Sequence, residues 1–195
     1  AEAVGKEHFE YGICLNNLGA VYMDMGDYTK AAPLYEEARQ LYAKALGKEH
    51  NDYAKGCHNL ALVHLRNGAY AEAEQLVTEA NTIREKALGK DHIDYAEGCD
   101  NLGTLYTAWG KYDQAIALHG QAKQIRQKAL GIAHPDYLQS CINLANDHRL
   151  SGNNLMALNL YTEAFSAQQE LLQKIFRFTT EPEKQAYLQK VNEYR

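Results

Sequence analysis

Residues 88–110, LGKDHIDYAEGCDNLGTLYTAWG, decide the fold, because the chain repeats this stretch at a constant spacing. Residues 46–68, LGKEHNDYAKGCHNLALVHLRNG, match it at a shift of 42 positions without an insertion or deletion. The same shift aligns recurring residues of three types: Gly5, Gly47, Gly89 and Gly131; His8, His50, His92 and His134; Asn17, Asn59, Asn101 and Asn143. Four units follow, at 5–46, 47–88, 89–130 and 131–172. Such a period is typical of repeat architectures.

Within each unit the apolar spacing predicts two antiparallel helices. The pairs Asp94–Glu97 and Asp136–Gln139 have the spacing of a capping box, so we expect the first helix of the third and fourth units to begin there. Gly110 is predicted to end the first helix in the left-handed conformation that glycine adopts without strain. The second helix then runs to the next unit.

Small residues predict close packing of the two helices. Gly103 is expected to face Ala115, and its equivalents in the other units are also Gly or Ala. Without bulk at these positions, the helix axes can approach to the short end of the ~8–10 Å range. One such pair cannot bury its own apolar stripe, so successive pairs must stack into a superhelical solenoid.

The pattern Leu-Gly/Ala…Tyr…Gly-x-Tyr…Ala…Ala resembles the tetratricopeptide repeat (TPR), and the link Leu88–Ala96 is similar to that of the long, kinesin-light-chain type. The resemblance implies an all-α, right-handed α-solenoid of four TPR units, in which residues 1–172 form the array. His64 and His148 depart from the pattern, because each stands where a Tyr is expected.

The period ends after residue 172, and residues 173–195 are predicted to hold the end of the last helix and a capping helix. Thr180 and Glu183 have capping-box spacing. A repeat array needs a polar cap over its exposed end. At the other terminus, Ala3 and Val4 match the end of a preceding helix, so we expect the chain to open on the last turn of an earlier unit and to come from a longer protein.

The segment Ile175–Leu188 also resembles the linker that joins TPR arrays to caspase-like CHAT peptidase domains in bacterial proteins. That resemblance implies an alternative function, in which the chain is a regulatory or sensor array of a larger protein whose peptidase domain follows Arg195.

Charge argues against nucleic-acid and membrane partners. The chain has 20 Lys and Arg against 25 Asp and Glu, for a net charge of −5. Both kinds of partner require a concentrated positive field. No apolar run is long enough to span a bilayer, and the first residues lack a signal-peptide pattern. We therefore expect a cytoplasmic protein.

The residue spacing predicts no enzyme, no metal and no cofactor. Cys57, Cys99 and Cys141 are equivalent positions about 10 Å apart by the helix spacing. That distance is too long for a disulfide or a shared metal, so all four cysteines, Cys14 included, should be free. The linker histidines are similarly separated, and each is expected to bond a neighbouring backbone group. The sequence contains no phosphate-binding loop and no nucleophile motif.

The exposed face of each first helix is the predicted binding surface. Its candidate residues for peptide contact are Asn17, Asn59, Asn101, Asn143, Lys55, His58, Arg66, Asn146 and Arg149. Asparagine is a mediocre helix former, so four in register need a reason. Their amides suit the backbone of an extended peptide, and in the resembled family such residues contact peptide main chain. The alternative is that each Asn bridges to the adjacent helix and holds the stack together.

These features predict a non-enzymatic scaffold that binds a peptide or partner protein in the concave groove. The groove charges are mixed, which favours a peptide with one acidic and one basic end, its carboxylates facing Lys55 and Arg66. Asp100 is also placed on the groove face. Self-association through an exposed array end near Tyr11 and Tyr42 is the other expectation. RNA reading is disfavoured, because the groove lacks a continuous basic stripe.

Overall fold

A computed structural model describes residues 2–177 and residue 182. These residues form helices and no strands. The helices are α1 (Glu2–Asp24), α2 (Tyr28–Leu46), α3 (Asn51–Arg66), α4 (Tyr70–Leu88), α5 (Ile93–Ala108), α6 (Tyr112–Leu130), α7 (Pro135–Leu150) and α8 (Asn154–Arg177). The all-α repeat array expected from the sequence is confirmed.

Helix boundaries follow the sequence period. The second helices α2, α4, α6 and α8 begin at residues 28, 70, 112 and 154, and each start lies 42 positions after the one before. Every helix-ending glycine has a positive φ, as for Gly110 at 78° and Gly131 at 81°. The predicted left-handed stop at Gly110 is confirmed. Both hairpin turns and links between units thus depend on glycine.

The N-caps differ from the prediction by two residues. His92 caps α5, because its imidazole Nδ1 accepts a hydrogen bond from the backbone N–H of Asp94 at 3.1 Å. His50 and His134 cap α3 and α7 in the same way. The prediction that Asp94 and Asp136 are the caps is wrong, because the preceding histidine already has the extended backbone of a cap residue. The expectation that linker histidines bond backbone groups is confirmed for these three.

The first unit begins differently from the others. Helix α1 continues without a break through residues 5–8, whose equivalents at 47–50 form the link between α2 and α3. The expectation that the chain opens on the last turn of an earlier helix is therefore wrong.

Helices stack in chain order. Extensive contacts join each helix to its neighbours in sequence, from α1 with α2 to α7 with α8. The first helices also touch one another, α3 with α5 and α5 with α7, whereas no two second helices among the described residues are in comparable contact. An array whose first helices lie closer together than its second helices must curve toward the first helices, which therefore line the concave side.

Fully buried alanines let the helices approach. The positions are repeated from unit to unit and include Ala31, Ala73, Ala115, Ala38 and Ala122, each with 0% of its surface exposed. The residue closest to Gly103, however, is His119, one turn beyond the expected Ala115, and the residue closest to Gly19 is likewise Tyr35 rather than Ala31. Helical side chains lean toward the helix N-terminus, so a residue covers the turn before its own.

His119 ties the third unit to the fourth. Its Nδ1 lies 2.5 Å from Oδ2 of Asp147 on α7, and its Nε2 lies 3.2 Å from the backbone oxygen of Asp100. Thr107 donates its hydroxyl to the other oxygen of Asp147 at 2.6 Å. Because His119 and Asp147 are both buried, this satisfied network fixes the ring that covers Gly103.

The N-terminal end of the array is less exposed than the sequence predicts. Tyr42 is buried beside Phe9, so of the two residues predicted to form an exposed array end only Tyr11 is exposed. The predicted capping helix lies outside the described residues. In the part that is described, no helix has both the length and the apolar character needed to cross a bilayer.

Two glycine substitutions test the packing. A Cβ at Gly103 would lie 2.6 Å from Nε2 of His119, whereas a Cβ at Gly120 would meet nothing within 4 Å. We expect Gly103→Ala to destabilise the protein by about 1–3 kcal/mol through overpacking. Gly120→Ala should stabilise it by about 1 kcal/mol, because alanine loses less backbone entropy in a helix. Denaturant unfolding of both variants measures the two changes, and equal effects would contradict the assigned contact.

Candidate functional site

The concave side carries a polar pocket between α1, α3 and α5, the first helices of the first three units. This pocket has a volume of about 390 Å³. It is lined by Asn16, Tyr42, Asn51, Asp52, Lys55, His58, Asn59, Arg84, Asp94 and Glu97. We call it the α1–α5 pocket. Three of the nine residues predicted from the sequence, Lys55, His58 and Asn59, lie in it together.

The asparagine series is not uniform. Asn59 donates its side-chain amide to Oδ1 of Asn16 at 2.6 Å and so links α3 to α1. Asn143 accepts a hydrogen bond from Gln139 on its own helix at 2.8 Å. The amide nitrogen of Asn101 is buried without a protein partner, and Asn17 is exposed. One member therefore bridges neighbouring helices, whereas another retains an unused donor.

The remaining candidates lie elsewhere on the first helices. Arg66 and Arg149 are exposed near the C-terminal ends of α3 and α7. Asn146 accepts a hydrogen bond from the hydroxyl of Tyr161 at 2.6 Å, which joins α7 to α8. None of these three residues lines the α1–α5 pocket, so the nine predicted residues form a pocket group and a dispersed group.

Asp100 does not belong to the open groove face where the sequence placed it. The residue is only 8% exposed, and its side chain forms an ion pair with Arg126 on α6. The helical periodicity of α5 placed Asp100 on that face. It could not show that a long side chain from the second helix reaches across to that face.

Arg84 is the buried cation of the pocket, and it is one of the lining residues that sequence reasoning missed. It lies on α4, a second helix, but its side chain extends to the α1–α5 pocket and is 3% exposed. Its Nε is buried without a hydrogen-bond partner. Among the described residues it forms an ion pair with Glu97, in which Nη2 lies 3.7 Å from Oε1, and the side chain of Glu97 is 51% exposed. A signal was available in the sequence, because Arg84 and Arg126 occupy equivalent positions in adjacent units.

His58 is an uncharged member of the pocket. Burial, helped by the positive charge of Arg84, lowers the pKa of His58 to about 4. Its Nδ1 is also buried without a partner. The imidazole is therefore neutral near pH 7, and the positive charge of the pocket comes from Arg84 and Lys55.

Acidic side chains at the pocket rim are partly neutralised by their own neighbours. Asp52 accepts a hydrogen bond from Lys55 at 3.1 Å, one turn away on α3. Asp94 accepts a longer bond from the amide of Asn51 at 3.4 Å. Glu97, by contrast, contacts only Arg84 among the described ionic groups. The pocket thus combines a buried cation with an acidic, solvent-accessible edge.

The thiols and metal-binding residue types do not form a reactive centre in this region. The four cysteines are free, as predicted. Cys57 is buried, and burial raises the pKa of its thiol to about 11, which keeps it protonated near neutral pH. Within the described residues, no group of three or more His, Cys, Asp or Glu side chains could hold a metal ion.

Comparison with known proteins gives a family and a set of related structures. A family model described as "Tetratricopeptide repeat" matches residues 12–86, 56–128 and 100–170, in three overlapping segments. The crystal structure of BtubC (BKLC) from P. vanneervenii is similar with a TM-score of 0.74 and 26% identity, covering 82% of this chain. The chain spans 64% of the length of BtubC.

Two crystal structures of a Podosopora anserina protein described as a kinesin light chain with nearly identical TPR-like repeats are also similar. One is of a variant and has a TM-score of 0.72 at 27% identity, covering 83% of this chain and 76% of that one. The other has a TM-score of 0.69 at 27% identity, covering 82% and 75%. No curated protein matches the sequence.

Substitution of His58 tests the electrostatics of the pocket. The folded protein holds the pKa of His58 near 4, below the unfolded value of about 6.5. Between these pH values His58 is protonated in the unfolded chain but not in the folded chain. The free energy of unfolding of the wild type therefore falls as the pH is lowered from about 6.5 to 4. We expect His58→Gln to lose less stability over this range, by up to about 3 kcal/mol. Unfolding at several pH values measures the difference, and parallel pH profiles would contradict it.

Proposed function

The chain belongs to the tetratricopeptide repeat family, and we propose that it is a non-enzymatic scaffold that binds an extended peptide or a segment of a partner protein along its groove. Tetratricopeptide repeats generally mediate protein–protein interaction. The observation that carries the proposal is the row of first helices on the concave side, whose exposed face is open and carries both polar and apolar side chains.

Unused hydrogen-bonding groups on this face support a peptide ligand. The amide nitrogen of Asn101 and the carbonyl oxygen of Asn51 are buried without protein partners. A buried polar group without a hydrogen-bond partner destabilises the folded protein. A peptide backbone has both N–H and C=O groups, so it can supply the hydrogen bonds that this donor and this acceptor lack. Exposed apolar side chains on α7, Ile142 and Leu150, can add contacts for the side chains of a peptide that extends to the fourth unit.

The charge distribution supports a peptide of mixed charge. Lys55, Arg66 and Arg149 are exposed cations of the first helices, and Asp94 and Glu97 lie on the acidic edge of the α1–α5 pocket. A peptide with charges of both signs can pair with both sets, whereas a uniformly acidic or basic peptide meets repulsion from one of them.

Replacement of two groove asparagines tests the proposal. Ligands are first selected on the wild-type protein from a random peptide library. We expect the double variant Asn59→Ala/Asn101→Ala to bind them about 30-fold more weakly, since two lost hydrogen bonds of about 1 kcal/mol each correspond to that factor. Isothermal titration calorimetry gives the dissociation constants, and thermal unfolding verifies that the variant remains folded.

The matched control is Gln124→Ala/Asn159→Ala, which removes two exposed amides from the second helices α6 and α8. We expect this variant to bind the selected peptides as the wild type does. Selection of no peptide at all, or equal binding by both double variants, would contradict the groove as the binding surface.

A further inference from the structure

The third unit shows how an arginine at the Arg84 position is neutralised when the protein supplies the partners itself. Arg126, the equivalent of Arg84, forms an ion pair with the carboxylate of Asp100 on α5. Its Nη1 also donates to the hydroxyl of Ser140 on α7 at 2.7 Å. A buried guanidinium is thereby held by a carboxylate and a hydroxyl, which is the arrangement that a buried charge requires.

The second unit retains the arginine but lacks both partners. At a shift of 42 positions, His58 stands in place of Asp100, and Gly98 stands in place of Ser140. His58 is neutral near pH 7 and Gly98 has no side chain. Arg84 is nevertheless as deeply buried as Arg126, at 3% against 7% exposure. Its ion-pair partner is Glu97, whose carboxylate oxygen lies 3.7 Å away.

The contact with Glu97 is too long for a hydrogen bond and involves a side chain that is half exposed. Nε is unpartnered in both arginines, so the difference between them is that Arg126 has a close carboxylate and a hydroxyl whereas Arg84 has neither. The same guanidinium borders the α1–α5 pocket, whose volume of about 390 Å³ has room for an acidic side chain. In the second unit the neutral side chain of His58 takes the position of Asp100, and the pocket that borders Arg84 lies beside it.

We propose that Arg84 is the anchor for a carboxylate of the bound peptide, which enters the α1–α5 pocket and supplies the negative charge that Asp100 supplies to Arg126. The carboxylate comes from an acidic side chain or from a peptide C-terminus, and Glu97 turns away from Arg84 as it binds. This inference rests on the proposed function, because it assigns one position within the groove ligand.

Three blocked or unblocked pentapeptides serve as probes. The first is Ac-Gly-Ala-Glu-Ala-Gly-NH₂, the second has Gln in place of Glu, and the third is Ac-Gly-Ala-Ala-Ala-Gly with a free C-terminal carboxylate. Each is titrated into 15N-labelled full chain while the side-chain Nε–H signal of Arg84 is followed by NMR. We expect at least one carboxylate peptide to shift this signal saturably and to bind at least tenfold more tightly than the Gln peptide. The responding peptide identifies the source of the carboxylate.

Two variants of the pocket sharpen the test without removing Arg84. His58→Asp installs the carboxylate that the third unit has, so we expect it to weaken binding of the responding peptide at least tenfold and to leave the melting temperature equal or higher. Glu97→Gln removes the competing internal carboxylate, so binding should become tighter. Lys86→Gln removes one exposed positive charge on α4, outside the pocket, and should bind as the wild type does.

The inference is overturned if neither carboxylate peptide shifts the Arg84 signal at millimolar concentration, if the Gln peptide binds equally well, or if His58→Asp leaves the affinity unchanged. The proposed function still stands after any of these outcomes if the affinity of the library-selected peptides falls when Asn59 and Asn101 are replaced. If the selected peptides bind without dependence on those two residues, the proposed function fails as well.

Discussion

The close approach of helices over alanine is the constraint on which the rest of the structure depends. Ala31, Ala73 and Ala115 are completely buried at the same position of successive second helices. A larger side chain there would push the two helices of a unit apart, and the next unit could no longer stack on them with the same geometry. Since each helix buries its apolar surface against its neighbours in the chain, the array has no single central core. Its concave face remains open, and this openness makes the face a candidate binding surface.

Polar contacts between units add direction to this apolar stacking. Tyr53 of the second unit donates its hydroxyl to Glu79 at 2.9 Å and accepts a hydrogen bond from Arg39 of the first unit at 2.7 Å. In the fourth unit Tyr137 likewise donates its hydroxyl to Glu163, but Lys123 of the third unit donates to the carboxylate of Glu163 rather than to the tyrosine hydroxyl. Burial raises the pKa of both tyrosines, so each hydroxyl remains a donor. A satisfied buried network of this kind disfavours slippage of one unit against the next.

The units of a repeat protein can be compared with one another, because equivalent positions have nearly the same surroundings. Where two units agree, as at the buried alanines and the linker histidines, packing and capping explain the residue. Where they differ, the difference identifies a local role. Arg126 has Asp100 and Ser140 as partners, whereas Arg84 faces His58 and the position of Gly98. That comparison distinguishes the closely paired Arg126 from the weakly paired Arg84 more directly than the burial of either arginine alone.

The sequence alone determined the number of units, the places where helices end and the face that lines the groove. These properties follow from local rules, namely a 42-residue period, glycines that accept a positive φ and apolar residues at helical spacing. It misplaced the caps by two residues, since both His92 and Asp94 suit that role, and it set the contact of Gly103 one turn too early. Only the tertiary structure decided that Arg84 reaches the groove and that Asp100 is withdrawn from it. A long side chain from a second helix can cross to the neighbouring helix. The residue pattern of each helix, taken by itself, does not predict where such a side chain ends.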